Sequence, residues 1–270
     1  MASQSKRSAA CSKAHNGMAA RGQHTTDDST GSEKRLITAA MNVKAALEAQ
    51  GHSVEFKTKI EYWDIKHHYH MVTGAPAPTD EDHRISIKPD GGVFIVDGKV
   101  VGIFEDKFEG TADLPQNKEK GWSGGSTIDR TAKNLNVLKM YCTGSGVFPY
   151  VVFAHGCNFH PKLTVYKRLE GMNHGYPCDT LICEPGKNLD SEFESMVDRI
   201  TPDSVRPRGP KGLEVATILI KTHAARGDQA MDHGASDWTV AEYQRIIEKT
   251  VQAALPTEEE ISAATLLKLV

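Results

Sequence analysis

Apolar and polar positions change period several times along the chain, and the sharpest change lies between Ile85 and Phe108. Two apolar runs, Val93 to Val96 and Val100 to Phe104, flank Asp97-Gly98, which is the strongest short-range signal for a two-residue hairpin turn. Two antiparallel strands are expected. On the second strand side chains alternate faces, which places Val101, Ile103, Glu105 and Lys107 on one side and Val100, Phe104, Asp106 and Phe108 on the other.

Helical spacing appears on both sides of this hairpin. Leu36, Ala40, Val43 and Leu47 predict a helix from Ser32 to Gln50, stopped by Gly51. Ile128, Ala132, Leu135 and Leu138 predict a second from Ser126 to Tyr141, with Ser126 as N-cap and Asp129 three residues on as a box-like partner. The run 147–154 reads as a buried central strand, because it is almost continuously apolar. Residues 54–62 read as a strand passing into a turn, 163–166 as a strand, 189–200 as a helix and 213–221 as a strand. A longer helix over 237–255 carries Trp238, Tyr243, Ile246, Ile247 and Val251 on its apolar side, and a short acidic-ended helix begins at Pro256. Residues 73–83 and 108–125 are polar, Gly- and Pro-containing connections. The second is too long for a simple turn. Alternating strands and helices indicate an α/β fold with a mixed central β-sheet flanked by helices.

Composition adds little to that pattern but narrows the class. The 270 residues are 39% hydrophobic and 25% charged, as in ordinary globular proteins. No apolar run is long enough for a membrane span and no apolar segment follows the basic start, so neither membrane nor secretory signal is expected. Five cysteines without a Cys-x-x-Cys spacing fit reduced thiols and a cytoplasmic setting. Residues 1–32 are poor in large apolar side chains and read as a flexible tail, leaving 33–270 as a single domain. Net charge is −3, yet Arg84 to Glu170 holds twelve Lys/Arg against nine Asp/Glu, so the local balance there is positive.

Candidate chemistry concentrates on the hairpin. Asp90, held by Pro89 and released into Gly91-Gly92, is expected at its open end beside Glu105, with Lys107 on the same face as Glu105. One or two carboxylates together with substrate phosphate oxygens suit a hard cation such as Mg²⁺, and an ammonium beside them can orient water. The same residues also read as a turn aspartate and a solvated Glu/Lys pair. Two histidine groups, His67-His68-x-His70 and His155, Cys157, His160, lack a fourth ligand at metal spacing and are read as incidental. At the start of the second helix, Asp129 and Arg130 are expected in a first turn able to meet phosphates or base edges, or simply to cap and pair.

These residues carry a resemblance. Pro89-Asp90 followed by Glu105-Asp106-Lys107 looks like the Pro-Asp…Asp/Glu-x-Lys nuclease signature. The wider order of SIKPDGG, VGIFEDKFEG, GGSTIDRTAKN and FPYVVFAHGCNF resembles EcoRI-like type II restriction endonucleases. The resemblance implies a restriction-endonuclease-like fold and a homodimer matched to palindromic double-stranded DNA in a prokaryotic cytoplasm. It further implies Mg²⁺ on Asp90, Glu105 and the carbonyl of Asp106, with Lys107 as the third catalytic residue, and a cognate DNA methyltransferase acting on the same site. DNA contacts are implied for Lys88, Ser126, Thr127, Asp129, Arg130, Lys133, Asn134 and Arg168. Gly125-Ser126-Thr127-Ile128-Asp129-Arg130 departs from the family's Gly-Asn-Ala-Ile-Glu-Arg at three positions, so the family's AATT-centred target does not transfer. The alternatives are a structure-selective repair or recombination nuclease and a non-catalytic DNA-binding protein on the same scaffold.

Overall fold

A computed structural model describes residues 31–108, 125–155, 164–172, 179–183, 189–207, 217–223 and 238–256. The tail before residue 31, the connection holding Lys118, Lys120 and Trp122, the residues Cys157 and His160, and the final helix expected from Pro256 lie outside them, Pro256 itself excepted. Helix α1 spans 31–49. Then come β1 (Val54–Lys57), β2 (Ile60–Glu61), α2 (Tyr62–Thr73), a 3₁₀ turn (Asp80–Arg84), β3 (Ser86–Ile87), β4 (Val93–Val96) and β5 (Lys99–Phe108). These are followed by α3 (Gly125–Tyr141), β6 (Tyr150–His155), α4 (Thr164–Met172), β7 (Asp179–Cys183), α5 (Leu189–Asp198), a 3₁₀ turn (Pro202–Val205), β8 (Thr217–His223) and α6 (Val240–Ala254).

Six strands form one sheet in the order β1-β4-β5-β6-β8-β7. β1, β4 and β5 are antiparallel, whereas β5, β6, β8 and β7 run parallel. The sheet is therefore mixed, as the alternation of elements implied. Antiparallel pairing follows from the tight turn at Asp97-Gly98, where φ is +50° and +79°, the two left-handed residues that a type I′ hairpin needs. Parallel pairing follows where helices intervene between strands.

Each face of the sheet buries its own cluster. On one side α1 (Leu36, Ala40, Val43, Leu47), α5 (Met196, Val197), Trp238 and α6 (Tyr243, Ile246, Ile247, Val251) pack on Phe94, Val96, Phe104, Val151 and Phe153. On the other, α2 (Ile65), α3 (Ile128, Leu135, Leu138) and α4 (Leu169) cover Val93, Ile95, Ile103, Tyr150 and Val152. β6 is buried on both faces, which explains its continuous apolar run. A chain of rings crosses the first cluster: Phe94 meets Phe104 at 5.7 Å, Phe104 meets Phe153 at 6.2 Å, and Phe153 meets Tyr243 at 4.7 Å. Each such pair adds roughly 0.5–1.5 kcal/mol beyond its area burial.

Four expectations need correction. Val101 faces α1 and α6 with Phe104 rather than sharing a side with Ile103. The ladder pairs Phe94 with Gly102 but Ile95 with Val100, so Val101 is the extra residue of a β-bulge and the alternation flips there. Residues 164–166 open helix α4 instead of a strand. Their β-branched and aromatic types gave strand propensity, and burial of Leu169 with a Lys167–Glu170 pair at 3.1 Å one helical turn apart overrides it. Helix α3 starts at Gly125, so Ser126 is inside it, Asp129 lies beyond its first turn, and the buried stripe uses Thr131 where Ala132 was expected. Ser32 belongs to the fold rather than to the tail, being fully buried with its Oγ 2.7 Å from the Tyr243 hydroxyl.

Helix α2 and strand β7 are additions with no sequence-based counterpart. Only Ile65 of α2 is buried, so its sequence carries no apolar stripe to detect. Its ends are nevertheless marked, by a Glu61/Asp64 capping box and by Gly74 at φ +74°.

Candidate active site

The bend at Pro89–Gly92 brings the first carboxylate to strand β5. Gly92 N donates to Pro89 O at 3.0 Å, closing a turn, and Gly91 N donates to Phe104 O at 2.9 Å while Phe104 N donates to Gly92 O at 3.0 Å. The bend can sit this close because Gly91 and Gly92 have no side chains. A Cβ on Gly91 would stand 2.7 Å from both Leu36 Cδ2 and Phe104 Cβ, and Gly92 holds φ +75°. Asp90 is thereby fixed alongside Glu105 and Asp106, whose backbone N–H approaches Asp90 Oδ2 at 3.4 Å.

Glu105, Asp106 and Lys107 then divide between the faces of β5. Glu105 and Lys107 project toward α3, and Asn134 of that helix donates to Glu105 Oε1 at 3.2 Å. Asp106 projects the other way, where its Oδ1 accepts from the Tyr243 hydroxyl at 2.7 Å. With that proton committed, the Tyr243 oxygen accepts from Ser32. A buried polar relay thus ties α1, α6 and the centre of the Glu105-Asp106-Lys107 run together.

Lys107 is the hub of the site. Its Nζ donates to Asp90 Oδ2 at 3.1 Å, to the Asp106 carbonyl at 3.0 Å, and to Glu105 Oε1. The side chain is 13% exposed and that of Glu105 only 3%. Burial works against the ammonium, but Glu105 and Asp90 outweigh it and hold Lys107 above its ordinary value. Glu105 is pushed up to about 7 by burial, with Lys107 opposing that rise and Asp90 adding to it. Among the described residues Glu105 Oε2 is buried without a hydrogen-bond partner.

The ammonium marks where positive charge is favoured. It draws on one oxygen from each of Asp90 and Glu105 and on the carbonyl of Asp106, an all-oxygen donor set of the kind hard divalent cations take. The unpartnered Glu105 Oε2 leaves further acceptor capacity at the same point. Among the described residues no group of three or more His, Cys, Asp or Glu side chains gathers to hold a metal. A cation here would therefore rest on two carboxylates, one carbonyl and water. The Asp106 side chain, engaged by Tyr243, is directed away from it.

The predicted DNA-contacting residues fall into two groups. Lys88, just ahead of Asp90, and Asp129, Arg130 and Lys133 on α3 are exposed. Asp129 Oδ1 lies 3.6 Å from Arg168 Nη2 on α4, so two positions 39 residues apart in sequence meet at one place. Asn134 instead points inward to Glu105. Ser126 and Thr127 sit in the first turn of α3, and their side chains lie outside the described ones. The histidines are otherwise engaged: His67 stacks on Trp63 at 4.7 Å, His68 Nε2 contacts Thr143 O at 2.7 Å, and His70 Nδ1 contacts Ala75 O. His155 ends β6 with its side chain outside the described ones.

Sequence reasoning missed three residues that border the site. The sequence marks Asn134 only as a DNA contact, Tyr150 only as part of a buried apolar run, and Tyr243 only as part of an apolar stripe. A polar-tipped aromatic inside a run otherwise apolar is the signal available for Tyr150 and Tyr243, since such tips ordinarily find a partner when buried.

Comparison with known proteins gives a partial likeness. Over 100 residues the chain is 33% identical to the type II restriction enzyme RsrI of Cereibacter sphaeroides. The match takes in 32% of this chain and 36% of that enzyme, so the chain spans well under half the length of the relative it matches. No family model matches the chain.

Proposed function

We propose that the protein is a type II site-specific endonuclease that makes Mg²⁺-dependent double-strand cuts at a short palindromic DNA site. The observation that carries this reading is the meeting of Asp90, Glu105 and Lys107 at one point beside β5, with Lys107 Nζ reaching both carboxylates. The likeness to a restriction enzyme supports it. Residues 33–270 would act as one catalytic and DNA-binding domain, and a two-fold homodimer would offer each half-site of a palindrome the same surface. A methyltransferase acting on the same sequence would complete the system.

Asp90, Glu105 and the carbonyl of Asp106 would hold Mg²⁺. When bound, Mg²⁺ supplies Lewis-acid stabilisation of the added phosphate charge and makes coordinated water more acidic. Lys107, kept charged by the carboxylates, orients the attacking water and offsets negative charge on the phosphate. Asn134 steadies Glu105 from α3. Water attacks phosphorus in line, the bond from phosphorus to the 3′ oxygen breaks, and that oxygen takes a proton to leave a 3′-hydroxyl beside a 5′-phosphate. Asp129, Arg130 and Arg168, with Ser126 and Thr127, would make base and backbone contacts, and Lys88 and Lys133 would contact phosphates.

Asp90→Ala and Lys107→Ala test the assignments. Each should remove plasmid cleavage in Mg²⁺ while leaving a folded protein that still retards duplex DNA in gel shift. Full cleavage by either variant would reject its role.

A further inference from the structure

Among the described residues, two polar atoms on the α3 side of the sheet are buried without a hydrogen-bond partner: Glu105 Oε2 and the Tyr150 hydroxyl. They are neighbours by register. Ile103 and Tyr150 are paired across the parallel β5–β6 ladder, and residues two apart share a face, so Glu105 lies on the same face as Tyr150, one strand across and one pleat along. Ile103, Tyr150 and Val152 all pack into the cluster beneath α3, which confirms the shared face. Tyr150 is fully buried, and its ring stacks on Phe148 with centroids 5.9 Å apart and planes at 10°. Its orientation is therefore fixed by packing rather than by its hydroxyl.

A buried hydroxyl or carboxylate oxygen left unpaired costs on the order of 1–3 kcal/mol. One such atom is a defect to be explained, and a donor and an acceptor on one face explain each other. The other oxygen of the same carboxylate, Oε1, already receives Lys107 and Asn134. We propose that Tyr150 is a positioning residue for Glu105: its hydroxyl donates toward Oε2 through one internal water and sets the orientation in which the carboxylate meets a cation. Burial, followed by the charges of Glu105 and Asp90, keeps the phenol protonated, so it acts as donor. Carboxylates that ligate metals are ordinarily held by such outer hydrogen bonds, and losing one weakens metal affinity or activity roughly 10–100-fold.

The inference rests on the reading of this site as a Mg²⁺ site, and one experiment separates the two. Mn²⁺ is titrated into full-length wild type, Tyr150→Phe and Glu105→Ala, following the free-ion paramagnetic resonance signal, and melting midpoints are recorded in chelator. Wild type should bind, Glu105→Ala should lose that binding, and Tyr150→Phe should bind about 10-fold more weakly while keeping a cooperative transition within about 6 °C of wild type, as loss of one buried hydrogen bond allows. Wild-type affinity in Tyr150→Phe would overturn the positioning role and leave the metal reading standing. A fall in affinity accompanied by loss of the cooperative transition would mark a packing effect and also overturn it. Wild type binding no better than Glu105→Ala would remove the metal reading and the proposal together.

Discussion

Replacing Glu105 by Gln should stabilise the metal-free protein at alkaline pH, even though it should abolish cleavage. Glu105 has an ordinary value of 4.5 and is pushed up to about 7 in the fold. Between those values the folded state binds the proton that the unfolded state has released. Stability therefore falls as pH rises from 4.5 through 7 and levels off above it. A difference of this size corresponds to about 3 kcal/mol at pH 8. The substituted amide would resemble the protonated carboxyl at every pH and carry no such penalty. Wild type and Glu105→Gln should melt together near pH 5 in chelator and separate by on the order of 5–10 °C at pH 8, with the variant higher. Millimolar Mg²⁺ should shrink or reverse the gap, because a bound cation compensates the desolvated charge. The assay is differential scanning calorimetry at several pH values with and without metal. A gap that stays constant from about pH 5 to 8, or that favours wild type at the alkaline end in chelator, would refute the reasoning.

Three other substitutions probe the scaffold. Gly91→Ala would push a methyl group against Leu36 and Phe104; it should cost about 1–3 kcal/mol in urea denaturation and lower cleavage by displacing Asp90. Gly98→Ala meets no atom within 4 Å but holds φ +79°, so it should cost about 1–2 kcal/mol from backbone strain alone, with cleavage per folded molecule unchanged. Tyr243→Phe removes the hydroxyl joining Ser32 to Asp106; it should cost about 1–3 kcal/mol by calorimetry and reduce kcat more than it changes DNA affinity.

How far the chain could be read depended on which interactions decide each element. The hairpin was legible because Asp97-Gly98 sets its turn locally, and α1 and α6 were legible because Leu36, Val43, Tyr243 and Ile247 bury a stripe at helical spacing. Both the meeting of Asp90 with Glu105 and the side shared by Glu105 and Lys107 followed from strand alternation and the Pro89–Gly92 bend. Where tertiary packing overrides local preference, the reading failed. The bulge at Val101 is invisible in a Val-Val pair, since either residue suits either face. α4 was hidden by the strand propensity of Val165 and Tyr166, and α2 by having only Ile65 to bury. The contacts of Asn134 and Tyr243 join residues 29 and 137 positions apart, and no local pattern encodes such partners. Asp129 and Arg168 were singled out separately, and only the packing of α3 on α4 brings them together.

The central claim is that this site cuts DNA at a defined sequence. Its most direct test is to incubate the purified protein with a fully sequenced plasmid, in Mg²⁺ and in chelator, and to sequence every fragment end. The account predicts discrete fragments in Mg²⁺ alone, with 5′-phosphate ends sharing one short palindrome. A smear of unrelated ends, cutting that persists in chelator, or an intact plasmid would contradict it.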